Sequence, residues 1–172
     1  GWRIYTVGDT KIAVINILGN SGFNRTHLNN PFIILPEIVA KAKEETPVVI
    51  VDFHASTTAE KKTMFFHMDG KGSAVIGTHT KALSADERGM PGGTAVICDS
   101  GRTGSLNSVG GLDPEIEIRK YITQLPERSR ECWENLELQG VIIDIDKATG
   151  KALSIERVRK SCRLEEGESI DV

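Results

Sequence analysis

The sequence predicts an α/β fold built on a mixed sheet, and three observations carry the prediction. Residues 48–54 and 74–79 are runs of β-branched and apolar residues, which read as strands buried on both faces of a parallel or mixed sheet. A single helix-forming stretch separates them, giving strand–helix–strand order. Two further strand-like runs, 2–7 and 11–18, flank Gly8-Asp9-Thr10 and read as a hairpin.

Along the chain, residues 19–31 are polar and rich in Asn and Gly, as in a loop. A short helix follows, with Pro36 near its first turn, Ile38, Val39 and Ala42 on its apolar face, and 41–45 solvated. Pro47 ends it. After the first long strand, Thr57-Thr58-Ala59-Glu60 fits a capping box, in which hydroxyl and carboxylate satisfy orphan backbone donors of a helix over 58–68 that stops at Gly70. The glycine-dense stretch from Gly77 to Gly111 holds one clear strand, 94–98, among tight loops. Asp113-Pro114 is an N-cap followed by a first-turn proline and opens another helix. Strands 141–145 and 152–158 flank Asp146-Lys147-Ala148-Thr149-Gly150 in a hairpin, and residues from Glu165 form an acidic, frayed tail. The expected organisation is one domain over 1–164 with a tail over 165–172.

Composition narrows the class. Hydrophobic residues at 39% and charged residues at 26% fit a soluble globular protein rather than a disordered or membrane chain. Net charge is −3 with Lys and Arg scattered, which argues against a large nucleic-acid surface and leaves room for a small nucleotide. Cys98, Cys132 and Cys162 are odd in number and far apart, as expected of thiols in the cytoplasm.

Chemistry concentrates where the two long strands end. Both close on a histidine, His54 and His79, and ligands gather at the carboxyl ends of strands in such sheets. Two histidines offered by strands separated by one helix can converge on one metal ion or phosphate. Asp52 is a hydrogen-bonding partner for that site or an outer supporting group, and Lys81 is a bystander or an anion-binding cation. His67, within Phe65-Phe66-His67-Met68, reads as packing, and His27 as a solvated loop residue. Other motifs fail: Asp144-x-Asp146-x-Ala148 has alanine at the third calcium position, Gly70-Lys71 lacks the upstream glycine of a phosphate-binding loop, and Ser100 lacks the frame of a nucleophile elbow.

An ordered series of short motifs goes further. Val51-Asp52-Phe53-His54-Ala55, Thr58-Ala59-Glu60-Lys61, Gly77-Thr78-His79-Thr80, Ser84-Ala85-Asp86-Glu87-Arg88, Pro91-x-Gly93-Thr94-Ala95 and Gly101-x-Thr103-Gly104 follow one another across the chain. Ser108-Val109-Gly110, Leu125-Pro126 and Val141-x-x-Asp144-Ile145-Asp146 extend the series. Together they resemble the C-terminal half of the bacterial YmdB-type calcineurin-like metallophosphoesterases.

The resemblance implies an αββα sandwich, of which this chain is the C-terminal portion with mixed sheet and flanking helices, and a two-metal site at its rim. It implies that His54 and His79 are ligands of one metal, supported by Asp52 and Thr78. Lys81 stands where the family has a histidine for the other metal, and a protonated ammonium has no lone pair to offer. Arg102 and Ser56 stand where the family tends to have Met and Glu. The remaining family ligands are expected upstream of Gly1. Three expectations follow: a metal-dependent phosphodiesterase acting on cyclic nucleotides or related phosphodiesters in the complete protein, with Fe, Mn or Zn; weak or absent metal binding and no hydrolysis by this chain alone; and self-association into a homo-oligomer. The alternative is a non-catalytic scaffold or binding module that has lost one metal site through Lys81.

Overall fold

The structure, a computed structural model, describes residues 1–23 and 29–162. His27 and the acidic tail lie outside the described residues. The chain comprises two compact units, one of Gly1–Gly101 with Val141–Arg157 and one of Arg102–Gly140 with Val158 onward.

The first unit is organised by a six-stranded mixed sheet. Strands β1 (Trp2–Val7) and β2 (Thr10–Leu18) form the antiparallel hairpin, with Val7 opposite Thr10 across a turn that Gly8 makes at φ +61°. Strands β3 (Val49–His54), β4 (Ala74–Thr78) and β6 (Ala95–Ile97) follow β2 in parallel, and β5 (Arg88–Gly89) closes the sheet antiparallel to β6, giving the order β1-β2-β3-β4-β6-β5. Period-2 alternation sets the two faces apart. Ala13, Ile15 and Ile17 of β2 and Val49, Val51 and Phe53 of β3 belong to the buried core. On the other parity of β3, Ile50, Asp52 and His54 are only half-buried, so the expectation of burial on both faces is met on one face of β3 alone, whereas β4 buries both faces at Ala74 and Val75 before Ile76 and Thr78 become half-buried.

Helices α1 (Pro31–Lys43) and α2 (Thr58–Met68) add Leu35, Val39 and Ala42 and Met64, Phe65 and Met68 to that core, which Val75 of β4 and Val96 of β6 extend across the sheet. Helix α1 starts a turn earlier than expected, because Asn30 caps it by accepting the Phe32 N–H at 3.0 Å and Pro31 fills the first turn. Pro36 therefore sits inside the helix, where it lacks the N–H that would reach the Phe32 carbonyl. The His67 ring takes over that carbonyl from α2 at 2.8 Å, so the packing histidine also repairs a broken helical bond.

In α2 the Thr57 hydroxyl accepts the Glu60 N–H at 3.3 Å, which is half of the expected capping box. The Glu60 carboxylate does not reach back. Buried, it turns instead to the loop after β2 and accepts the Asn20 and Ser21 N–H groups at 2.7 and 3.1 Å. Gly19 fits beneath it, since a Cβ there would stand 2.7 Å from a Glu60 oxygen.

Residues 141–157 join the first unit through the hairpin turn. Asp146 accepts from the Ala148 N–H and the Thr149 hydroxyl, and Ala152 N–H donates to the Gly93 carbonyl, so the carboxylate serves the hairpin turn. The strands there are longer than expected, β8 spanning Leu136–Ile145 and β9 Ala152–Cys162. With β7 (Gly104–Ser105) they form a three-stranded sheet in the order β7-β8-β9. In the second unit, helix α3 (Pro114–Thr123) begins as its cap predicts, with Asp113 accepting from Glu115 and Ile116 N–H groups.

Candidate metal centre at the ends of β3 and β4

Parallel register brings the strand-end histidines together. His54 pairs with Thr78 across β3 and β4, and His79 is the next residue after β4. His79 Nδ1 stands 3.2 Å from His54 Nε2, with ring centroids 5.1 Å apart and the planes nearly perpendicular. His54 is half-buried and His79 exposed. Phe23 completes the cluster, lying near-parallel to His54 at 5.8 Å and edge-on to His79 at 5.3 Å.

A polar chain on the half-buried face orients the first ring. Asn16 Nδ2 donates to Asp52 Oδ2 at 2.7 Å, and the Thr78 hydroxyl donates to Asp52 Oδ1 at 2.8 Å. Having given its proton to the carboxylate, that hydroxyl accepts from His54 Nδ1, 3.0 Å away. The network thus assigns the His54 proton to Nδ1 and leaves the Nε2 lone pair facing His79. Asp52 shares the face of His54 because the two are separated by two positions on one strand. It acts on the histidine through Thr78.

The nitrogen pair fits one ion. Two nitrogens bound at about 2.0–2.1 Å with tetrahedral angles lie ~3.3 Å apart, close to the observed separation. Holding an ion between the rings requires His79 to carry its proton on Nε2 rather than Nδ1. Two imidazoles are a partial donor set, and among the described residues no group of three or more His, Cys, Asp or Glu side chains could hold a metal.

Lys81 does not join the hydrogen-bonded chain. It is exposed and adopts φ +59°, two residues beyond His79 at φ +122°. The turn between them is held from below by Asp99, whose Oδ2 accepts the Thr80 N–H at 2.7 Å. Asp99 is 1% exposed, and Lys61 of α2, at 0%, lies 3.3 Å away as its ion-pair partner. Nearby, burial foremost, then the Asp86 carboxylate, pushes the Cys98 thiol up to about 12. Burial raises Asp86 itself, but hydrogen bonds from Cys98 and Ser84 and the charge of Lys62 together outweigh it and leave the carboxyl below its ordinary value. Asn16, Phe23, Lys61 and Asp99 were not singled out from sequence. Lys61 carried a readable signal, since it shares a helical face with the core residues Met64, Phe65 and Met68.

Comparison with known proteins agrees with the motif series. The chain is 42% identical over 148 residues to the 2',3'-cyclic-nucleotide 2'-phosphodiesterase of Bacillus subtilis, covering 86% of this chain and 55% of that protein. A Mycoplasma pneumoniae relative is 35% identical over 160 residues, covering 92% of this chain and 56% of its own length. The chain therefore spans little more than half the length of these relatives. Among solved structures, one described as a novel phosphatase from Mycoplasma pneumoniae superposes with a TM-score of 0.84 at 34% identity, covering 94% of this chain and 57% of that one. A hypothetical protein from Thermus thermophilus gives 0.85 at 25% identity, with 94% and 62% covered. The family described as YmdB-like protein matches residues 1–158, and the chain belongs to that family.

Proposed function

We propose that this chain contributes His54 and His79 as two ligands of one divalent transition metal, Mn, Fe or Zn, in a phosphodiesterase acting on cyclic nucleotides or related small phosphodiesters. The observation that carries the proposal is the 3.2 Å separation of His54 Nε2 and His79 Nδ1, with the first lone pair aimed by Thr78. The name of the Bacillus subtilis relative supports the substrate class.

When bound, the metal polarises the phosphate and activates a water. The chain's own residues prepare its place. Asp52 and Thr78 keep the proton of His54 on Nδ1, Asn16 fixes the far oxygen of Asp52, and Phe23 shields the ring pair on one side. Two-metal catalysis clamps both attacking and leaving oxygens with a larger ligand set, so the isolated chain holds metal weakly and does not hydrolyse substrate.

A second reading is favoured by Lys81, a cation where the resemblance places a histidine. In that reading the complete protein keeps the scaffold for binding a nucleotide or partner without hydrolysing it.

Calorimetric titration of the chain with zinc or manganese tests the metal role. Weak uptake of one ion per chain is expected, abolished by His54→Ala or His79→Ala. Tight uptake of two ions, or uptake indifferent to both substitutions, would overturn it. Hydrolysis of 2',3'-cyclic AMP by the complete protein separates the phosphodiesterase from the scaffold.

A further inference from the structure

The turn that presents His79 is not at rest by itself. His79 at φ +122° and Lys81 at φ +59° occupy backbone regions that non-glycine residues rarely adopt, and such conformations persist only where the surroundings impose them. The hydrogen bond from the intervening Thr80 N–H to Asp99 Oδ2, at 2.7 Å, ties the turn to the interior. Asp99 is fixed in turn: its Oδ1 accepts the Gly101 N–H at 3.1 Å, and its own N–H donates to the Ser84 hydroxyl at 2.8 Å. Lys61 faces Oδ2 at 3.3 Å from a fully buried position on α2. Space for the lysine stem exists because Gly77 has no side chain, and a Cβ there would meet Lys61 Cδ at 3.0 Å and run into the Cys98 carbonyl.

Burying such a pair gives no clear stability advantage, because desolvation of both charges offsets their attraction and an apolar pair of similar volume is often as stable. We propose that Lys61 and Asp99 are positioning residues for the candidate metal centre. The carboxylate holds the strained turn through the Thr80 amide so that His79 Nδ1 faces His54 Nε2, and Lys61 balances the charge this requires in the interior. The relevance to metal rests on the function proposed above; the positioning itself is a statement about the metal-free chain.

The test reads the two rings directly. In the metal-free chain, proton NMR should show a nuclear Overhauser contact between the His54 and His79 rings, whose centroids are 5.1 Å apart. Lys61→Met/Asp99→Leu, which fills the space without an acceptor, should lose that contact while amide signals away from residues 77–81 keep their dispersion. Lys61→Met/Asp99→Asn, which restores a neutral acceptor for the Thr80 N–H, should recover it. Should the leucine variant fail to fold, Lys61→Met/Asp99→Ala removes the same acceptor and carries the same expectation. Zinc affinity should fall roughly tenfold in the variants lacking the acceptor, the lower end of what loss of an outer supporting group produces. Persistence of the ring contact without an acceptor, or its equal loss in the asparagine variant, would overturn the positioning role. If the native chain shows the ring contact but zinc ignores both histidines, the metal reading fails and the positioning role stands.

Discussion

At the residue scale, Thr78 is the hinge of the candidate centre because its hydroxyl both gives to Asp52 and receives from His54. Thr78→Val keeps the shape and removes both bonds, so zinc or manganese affinity should fall about tenfold or more by calorimetry, whereas Thr78→Ser should stay near the native value. The cysteines make a second prediction. Thiolate is the reactive form, and the Cys98 thiol is both buried and pushed up to about 12, while Cys162 is exposed. Iodoacetamide at pH 8 should label Cys162 in the native chain and reach Cys98 only after denaturation, as mass spectrometry of peptides will show. Sequence revealed the histidines because each ends a hydrophobic run. It did not reveal Asn16 or Asp99, whose partners are set by strand register and by a loop far along the chain.

At the element scale, the repair of α1 by α2 is separable by mutation. His67→Ala leaves the Phe32 carbonyl without its donor and should lower stability by ~1–2 kcal/mol. Pro36→Ala returns a helical N–H to the same carbonyl, so the His67→Ala penalty should shrink in that background. A denaturant double-mutant cycle measures this coupling, and additive effects would mean that the ring does not serve the carbonyl. Helix α2 and the central strands were legible because capping residue, apolar runs and terminal glycine all agree. The start of α1 was missed because Pro36 looked like a first-turn proline while Pro31 and Asn30 held that role. The two-residue strands β5 and β7 have no periodicity to read.

At the scale of the whole molecule, the order of the six-stranded sheet leaves β1 as a terminal strand with Trp2, Tyr5 and Val7 exposed. Apolar side chains on a sheet edge invite pairing with another edge. We propose that the chain associates with copies of itself in this way. Light scattering at micromolar concentration should report a dimer or larger, and Tyr5→Lys/Val7→Lys should shift it toward monomer; a native chain that stays monomeric would refute the idea. The mixed α/β architecture was legible as a whole, since the hairpin and the strand–helix–strand unit determine most of the sheet order. Among the described residues no helix is long and apolar enough to cross a membrane.

The strand–helix–strand crossover has a kinetic meaning as well. His54 and His79 are joined by one helix and one turn, so the ring pair comes from a segment of 26 residues, 54–79, rather than from distant parts of the sequence. Closing so short a connection carries a small entropic penalty, and helices form faster than long-range sheet pairings. Strands β3 and β4 can therefore dock early in folding, together with α2, while the turn that aims His79 is completed only when Asp99, beyond β6, reaches the Thr80 amide. The ring pair is therefore the last part of the unit to be set, so an ion would meet a register of two parallel strands already fixed and would report on folding rather than direct it.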